Sequence, residues 1–252
     1  MSQASVNYWP DSRCAKAFWN QHELPPYQEL LTDTEAALNP HAGDRWLDLG
    51  CGSGQLSKVL WTKSGGTVAE ILGVDVAEVN AIAYEKLRAK VAAPAETVKF
   101  LAADFSRGLG HLPDGYFDGV VSGLALQYAE SYHEDEGRWT RDAYDRILRE
   151  VHRLLKPGGA FVFSVNVPEP AWGKVAWKSA SGVWQARKPL GYLKKAWRIW
   201  SYGNWLKRES RRGRFHYLSD AAITDILGGL GFVDIQITTS FAGQAYLIRC
   251  RK

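Results

Sequence analysis

The stretch from Trp46 to Gln55 constrains the chain most. Trp46, Leu47 and Leu49 form a short apolar run that reads as a buried strand. Gly50, Gly52 and Gly54 follow, where the chain must turn and where a missing side chain lets a ligand reach the backbone. From Gln55 the pattern becomes helical, with Leu56, Val59 and Leu60 at i, i+3 and i+4. A strand, a glycine turn and a helix start make a nucleotide site, because free N–H groups point outward at the first helical turn.

The spacing argues against a dinucleotide. That fingerprint is G-x-G-x-x-G, whereas this chain has G-x-G-x-G preceded by Asp48. A carboxylate there repels a pyrophosphate and suits a ligand carrying an ammonium group. Leu47-Asp48-Leu49-Gly50-Cys51-Gly52-Ser53-Gly54 resembles the first motif of class I S-adenosylmethionine (SAM)-dependent methyltransferases. Further ordered signals match. An acid, Asp75, ends the run Ile71 to Val74, and another, Asp104, follows Val98 to Ala103. Leu154-Leu155-Lys156-Pro157-Gly158-Gly159 leads into an apolar run, Ala160 to Val165.

The alternation of strand and helix implies a mostly parallel sheet covered on both faces. The resemblance implies more: an α/β, Rossmann-like, doubly wound sheet of seven strands, with an antiparallel last strand and a mainly helical insertion. The expected organisation is one domain: a helical cover over residues 1–40, a core over 43–168 and 218–252, and an insertion over 169–217.

The resemblance also implies SAM as cofactor and S-adenosylhomocysteine as product. The expected cofactor residues are Asp48, Gly50, Cys51, Gly52, Gly54 and Gln55 at the turn, Asp75 and Val76 after the second strand, Asp104 and Phe105 after the third, and Ser122 on the fourth. Asp75 stands about twenty residues beyond the turn, where an acid accepts hydrogen bonds from ribose hydroxyls; it could instead cap the next helix. Asp104 resembles the acid that bonds the adenine amino group, with Phe105 against the ring, or it forms an Asx turn. Cys51 reads as packing rather than as a nucleophile.

The segment that faces the reacting methyl in this family is Gly123 to Tyr128 here. It lacks the Asn/Asp-Pro-Pro-Tyr/Phe of enzymes that methylate amino groups of bases or glutamine, and its apolar residues resemble small-molecule methyltransferases acting on quinones, sterols and other lipids. Tyr128 and His133 are the candidate proton-transfer residues, although His133 sits in a polar run that suits a solvated loop. Tyr8, Tyr27, Gln127, Trp197 and Trp200 are candidate substrate-pocket residues. The bland alternative for the N-terminal aromatics is packing onto the sheet, preferred for Phe18 and Trp19.

Composition matters most in the insertion. The chain has 252 residues and a net charge of only +4. Residues 170–217 nevertheless hold twelve lysines and arginines against Glu209 alone, with six of the eleven tryptophans. On a helix from Leu190 to Trp200, Leu193, Trp197 and Trp200 share one face and Lys194, Lys195 and Arg198 another, the pattern of a helix lying in a membrane surface. An anionic membrane surface is therefore one expected partner, beside the small-molecule acceptor. Nucleic acid held by cations and aromatics is the alternative, as is a plain lid. Three scattered cysteines without C-x-x-C, no basic-then-apolar leader and no long apolar run suggest a cytoplasmic chain without disulfides or a zinc site, peripheral at most to the inner membrane face. The function expected is methyl transfer to a hydrophobic acceptor. The alternatives are an RNA methyltransferase and a SAM-binding protein without chemistry.

Overall fold

The computed structural model describes Trp9, Lys16, Trp19, residues 21–181 and residues 189–252; along 189–200 it describes the backbone and the side chain of Trp197. Seven strands form one sheet: β1 (Arg45–Leu49), β2 (Glu70–Asp75), β3 (Val98–Ala102), β4 (Phe117–Gly123), β7 (Leu155–Asn166), β8 (Val233–Ser240) and β9 (Ala245–Arg251). Their order is β3-β2-β1-β4-β7-β9-β8. The pairs β1·β2, β1·β4, β2·β3 and β4·β7 are parallel, while β9 runs antiparallel to both neighbours. This is the expected sheet, including its inverted last strand. Strand order reverses between β1 and β4, so their carboxyl ends open the crevice where α/β sheets bind ligands.

Strand parity decides what each β1 residue meets. Leu47 and Leu49 join the core under α4 (Asp142–Leu154) and α7 (Asp220–Gly229). Trp46 joins the opposite core, under α1 (Pro25–Ala37), α2 (Gln55–Lys63) and α3 (Asn80–Val91). Asp48 shares the parity of Trp46, so its carboxylate is delivered to the α2 side, 1% exposed. Helix α4 shows why the sequence pattern was readable: Tyr144, Ile147, Leu148, Val151 and Leu154 are all buried on one stripe. It ends at Leu154, and β7 begins at once, so Lys156-Pro157-Gly158-Gly159 lies at the start of the strand rather than between elements.

Two regions depart from the sequence reading. The polar run around His133 is not a loop: β5 (Ser131–His133) and β6 (Arg138–Thr140) form an antiparallel hairpin in which Tyr132 opposes Trp139. The insertion, read as mainly helical with one amphipathic helix picked out, holds two helices among the described residues, α5 (Trp172–Ser181) and α6 (Pro189–Arg211). The helix read over Leu190 to Trp200 is the first half of α6. Its second half turns Leu206 inward and packs Tyr202 and Trp205 against a third buried cluster that includes Trp172, Phe215 and Phe241.

Candidate active site

The glycine turn hangs from β2. Gly50 and Cys51 both donate their N–H to the Val74 carbonyl, at 2.8 and 3.2 Å, which extends the β1·β2 ladder one step beyond the strand. Gly50 adopts φ +68, and a Cβ there would fall 2.2 Å from the Cβ of Ala125, so glycine at this position lets the segment after β4 lie against the turn. Phe105 borders the same spot at 3.5 Å. Gly52, at φ +50, is different: a Cβ there would meet nothing within 4 Å, so its backbone faces open space.

Two acids flank the turn. Asp75 accepts the Gly52 N–H on Oδ2 and the Ala77 N–H on Oδ1, each at 2.9 Å. It locks the turn to the end of β2 and starts the Asx turn that precedes α3. Two backbone bonds use half of the roughly four acceptor positions of a carboxylate, with Asn80 a further donor beside it. Burial raises its pKa against those bonds. Asp48 accepts both the N–H and the Oγ–H of Ser57 on Oδ2, at 3.0 and 2.7 Å, whereas its buried Oδ1 has no partner among the described residues. Burial pushes its carboxyl up to about 7 despite the bonds from Ser57. Tyr84 closes this group, its hydroxyl 2.5 Å from Ser57 Oγ. Cys51 is buried, and burial beside Asp48 and Asp75 drives its thiol well above the ordinary value, which fits packing and not nucleophilic attack.

The remaining candidates spread around this centre. Gly54 stands at the α2 N-cap and Gln55 opens that helix, with Nε2 3.5 Å from Ser53 Oγ. Val76 is half-buried beside Asp75. Asp104 accepts the Ser106 N–H at 2.9 Å, so the Asx turn weighed from sequence is formed, and Arg107 stands 3.6 Å away. Ser122 needs correcting. It is fully buried and its hydroxyl donates to the Leu49 carbonyl at 2.7 Å, so it pins β4 to β1 and presents nothing to a ligand.

Residues 47–163 match the family model of the methyltransferase domain. They form a methyltransferase domain. Among solved structures, a SAM-dependent methyltransferase from Mesorhizobium loti superposes with a TM-score of 0.56 over 88% of this chain and 96% of that one, at 24% identity. A phosphoethanolamine N-methyltransferase of Haemonchus contortus, in complex with SAM, shares the fold with a TM-score of 0.51 at 18% identity, over 83% of this chain and 37% of that one. Among sequences, the chain is 34% identical over 167 residues to the 27-O-demethylrifamycin SV methyltransferase of Amycolatopsis mediterranei, covering 65% of this chain and 52% of that protein. It is 33% identical over 121 residues to the demethylmenaquinone methyltransferase of Symbiobacterium thermophilum, covering 48% and 41%. The chain thus spans about half or less of the length of these relatives. The cofactor of this domain is SAM, and the turn fits it: the open approach at Gly52, the spare acceptor positions of Asp75 and the unpartnered Oδ1 of Asp48 suit a ligand with hydroxyls and an ammonium group.

The methyltransferase domain carries a second cluster beside the turn. Tyr27, Tyr128, Phe215, Tyr217 and Phe241 pack with Trp9 and with α5 and α6. The Trp9 and Tyr128 ring centroids are 4.8 Å apart, Tyr128 and Phe215 4.9 Å, Tyr27 and Phe241 4.6 Å. Inside this apolar shell sit polar groups: the hydroxyls of Tyr128 and Tyr217, 3.4 Å apart, and the side chains of Gln127 and Asn166, both 0% exposed. Tyr27 and Gln127, expected in the pocket, are therefore here. Burial drives the Tyr27, Tyr128 and Tyr217 phenols upward.

Several expectations are corrected by these positions. Burial raises the Tyr128 phenol, which is hydrogen-bonded to Asn166 and Tyr217 and stays protonated near neutral pH, so the position does not favour the proton-accepting role expected of it. His133 is about half exposed on the β5–β6 hairpin, held by Asp142 at 2.7 Å and by Glu136 at 3.7 Å, at the rim of an open cleft of about 470 Å³ with Trp139 and His216. It belongs to the surface, not to the buried cluster. Trp197 is 65% exposed. Tyr8 and the side chain of Trp200 lie outside the described residues.

Sequence reasoning missed other residues. Trp19, read as packing, crosses the glycine turn: its carbonyl accepts from Ser53 Oγ at 3.3 Å and its indole N–H donates to Asn80 Oδ1 at 2.7 Å. Ser57 and Tyr84 support Asp48, and the only signal for them was their place on helix faces toward β1. Asn166 and Tyr217 gave a faint signal as polar residues at the ends of apolar runs.

The Asp48 environment makes a pH-dependent prediction. Its folded pKa of about 7 lies above the ordinary 3.8. Between these values the unfolded chain has lost a proton that the folded protein keeps, so this group's stabilising share falls as pH rises toward 7 and is flat above it. Asp48→Asn abolishes that share. The stability of Asp48→Asn relative to the unsubstituted protein should rise by about 4 kcal/mol between pH 4 and pH 7.5 in denaturant titrations. A difference that does not change with pH would remove the assignment.

Proposed function

We propose that this chain transfers a methyl group from SAM to a small, hydrophobic acceptor that is quinone-, sterol- or lipid-like. The observation that carries this reading is the aromatic cluster around Tyr27, Tyr128 and Phe215, which stands beside the glycine turn through the Gly50–Ala125 contact. A mostly apolar recess with a few polar groups is the usual make-up of a small-molecule site. The names of the relatives support the class: a menaquinone precursor for one and a rifamycin precursor for the other.

In this reading Asp75 takes the ribose hydroxyls, Asp104 and Phe105 the adenine, and Asp48 Oδ1 with the turn the methionine ammonium end. Bound there, SAM supplies a methyl on a sulfonium sulfur. The protein's own work is positioning: the Ala125 to Tyr128 segment holds the acceptor in line, and positioning accounts for about 7–11 kcal/mol in favourable cases. Trp19 across the turn, and Trp9 against Tyr128, keep water out. The tyrosines, held protonated, donate hydrogen bonds instead of removing a proton.

The insertion supports collection of the acceptor at an anionic membrane surface. Lys178 pairs with Glu29 of α1 and Arg214 with Glu130, which tie the insertion to the core, whereas Lys207 and Arg211 pair with Glu169 and Arg208 and Arg212 with Glu209 of α6 itself. Trp177 on α5 and Trp197 on α6 remain 81% and 65% exposed. Exposed tryptophan beside lysine and arginine suits an interface better than a nucleic-acid groove. Among the described residues no helix is long and apolar enough to cross a membrane.

Two measurements test these statements. Protein incubated with methyl-labelled SAM and an extract of the source cells should put label into the organic-soluble fraction. Label in nucleic acid would favour the RNA alternative, and cofactor binding without turnover the non-catalytic one. At low salt the protein should sediment with vesicles of anionic phospholipid, and Trp177→Ala with Trp197→Ala should reduce that fraction severalfold. Failure of the unsubstituted protein to sediment would exclude the membrane step.

A further inference from the structure

The polar groups inside the aromatic cluster define what the acceptor must carry. Asn166 ends β7 at its carboxyl edge and is 0% exposed. Its backbone N–H donates to Gln127 Oε1 at 2.5 Å, and its Nδ2 donates to the Tyr128 hydroxyl at 3.2 Å. Its Oδ1 is buried and accepts no hydrogen bond from any described residue. Such an orphan acceptor costs about 1–3 kcal/mol, whereas an apolar residue of the same size costs nothing of the kind. A site that only packed would gain by replacing it.

The phenols complete the count. Tyr128 and Tyr217 lie within 3.4 Å of one another, so one hydroxyl donates to the other and a single phenolic hydrogen remains. Both phenols are held protonated by burial, so that hydrogen is present at neutral pH. One spare donor and one spare acceptor therefore lie in the same buried group of side chains. A hydroxyl answers both at once: its oxygen accepts the phenolic hydrogen and its own hydrogen goes to Asn166 Oδ1. A carbonyl accepts only, and a hydrocarbon does neither.

The cluster is also placed for this task. Leu124 adopts φ +51, a left-handed conformation that side chains rarely take, with its N–H held by the Ser164 carbonyl and Oγ at 3.1 and 3.0 Å. That bend turns the chain off β4, sets Ala125 against Gly50 and delivers Gln127 and Tyr128 to Asn166. Strain of this kind persists where surrounding structure over-determines it, commonly at functional sites.

We propose that Asn166, with Tyr128 and Tyr217, seats the acceptor by a hydroxyl group, so that within the proposed class the substrate is the hydroxyl-bearing form, such as a reduced quinone or a sterol alcohol, and not its ketone, quinone or hydrocarbon counterpart. This rests on the methyl-transfer reading of the same site. Asn166 acts here as a positioning and specificity residue. Sites built to hydrogen-bond a substrate hydroxyl discriminate strongly against analogues that lack it, because their own buried polar groups are then left unpaired.

The test uses the full chain saturated with S-adenosylhomocysteine and three probes of one ring size: 1-naphthol, naphthalene and 1,4-naphthoquinone, measured by equilibrium dialysis. The unsubstituted protein should bind 1-naphthol at least about tenfold more tightly than either of the others. Asn166→Leu should bring 1-naphthol down to the affinity of naphthalene while leaving naphthalene and S-adenosylhomocysteine binding as they were. Tyr217→Phe, which removes one donor and little volume, should lower the naphthol-to-naphthalene ratio in the same direction, and serves if Asn166→Leu fails to fold. Equal affinity for the three probes, tighter binding of the quinone, no binding of 1-naphthol, or an unchanged ratio in both variants would overturn the proposal. Calorimetry with S-adenosylhomocysteine alone separates this from failure of the cofactor reading, which would appear as absent binding before any probe is added.

Discussion

The Asp75 carboxylate, accepting the backbone N–H groups of Gly52 and Ala77, is the contact on which the rest of the site depends. A glycine-rich turn has little conformational preference of its own and loses much entropy when ordered. Here it is fixed from two sides, by the Val74 carbonyl receiving Gly50 and Cys51 and by Asp75 receiving Gly52. Because Asp75 ends β2 and is half-buried, those bonds are partly shielded from water and the turn is held to the sheet. Gly50 then faces Ala125, and the acceptor segment inherits its position from the turn.

A second constraint is the uneven satisfaction of buried polar groups. Ser122 and Ser57 have their hydroxyls fully engaged and act as fasteners. Asp48 Oδ1 and Asn166 Oδ1 do not, and they sit on the two sides of the Gly50–Ala125 contact, one behind the turn and one in the aromatic cluster. Evenly satisfied interiors are the rule, and these two spare acceptors are the ones that the proposed cofactor site and the proposed acceptor site would use. The same cluster ties α5 and α6 to the core through Val175, Leu206 and Phe215, with the Arg214 guanidinium over the rings of Trp139 and Phe215.

How much was legible in the sequence follows from how local each signal is. The apolar β1 run, the Gly50–Gly52–Gly54 spacing and the acids ending β2 and β3 are short-range patterns, and with the resemblance they carried the fold and the cofactor. Ser122 was misread because a polar residue ending an apolar strand looks the same whether its hydroxyl faces a ligand or the Leu49 carbonyl. His133 was legible as a surface residue, but the hairpin around it was not. Its only signals were the Tyr132–Trp139 cross-strand pair and Gly137, in a run too polar and short to read as strands. Asn166 and Tyr217 come from distant parts of the chain, and only the sheet order β4-β7 brings the first beside Tyr128. In α6 the charges could be counted from sequence, but not how many pair with Glu169, Glu209 and Glu130.

The central claim is that the acid-held glycine turn binds the cofactor through Asp75, and a calorimetric titration of SAM into the unsubstituted protein and Asp75→Ala tests it most directly. The account expects binding to the former and affinity at least about tenfold lower in the variant, which loses both the acid that holds Gly52 and its spare acceptor positions, with circular dichroism unchanged. Equal affinity in the two proteins, both folded, would contradict it.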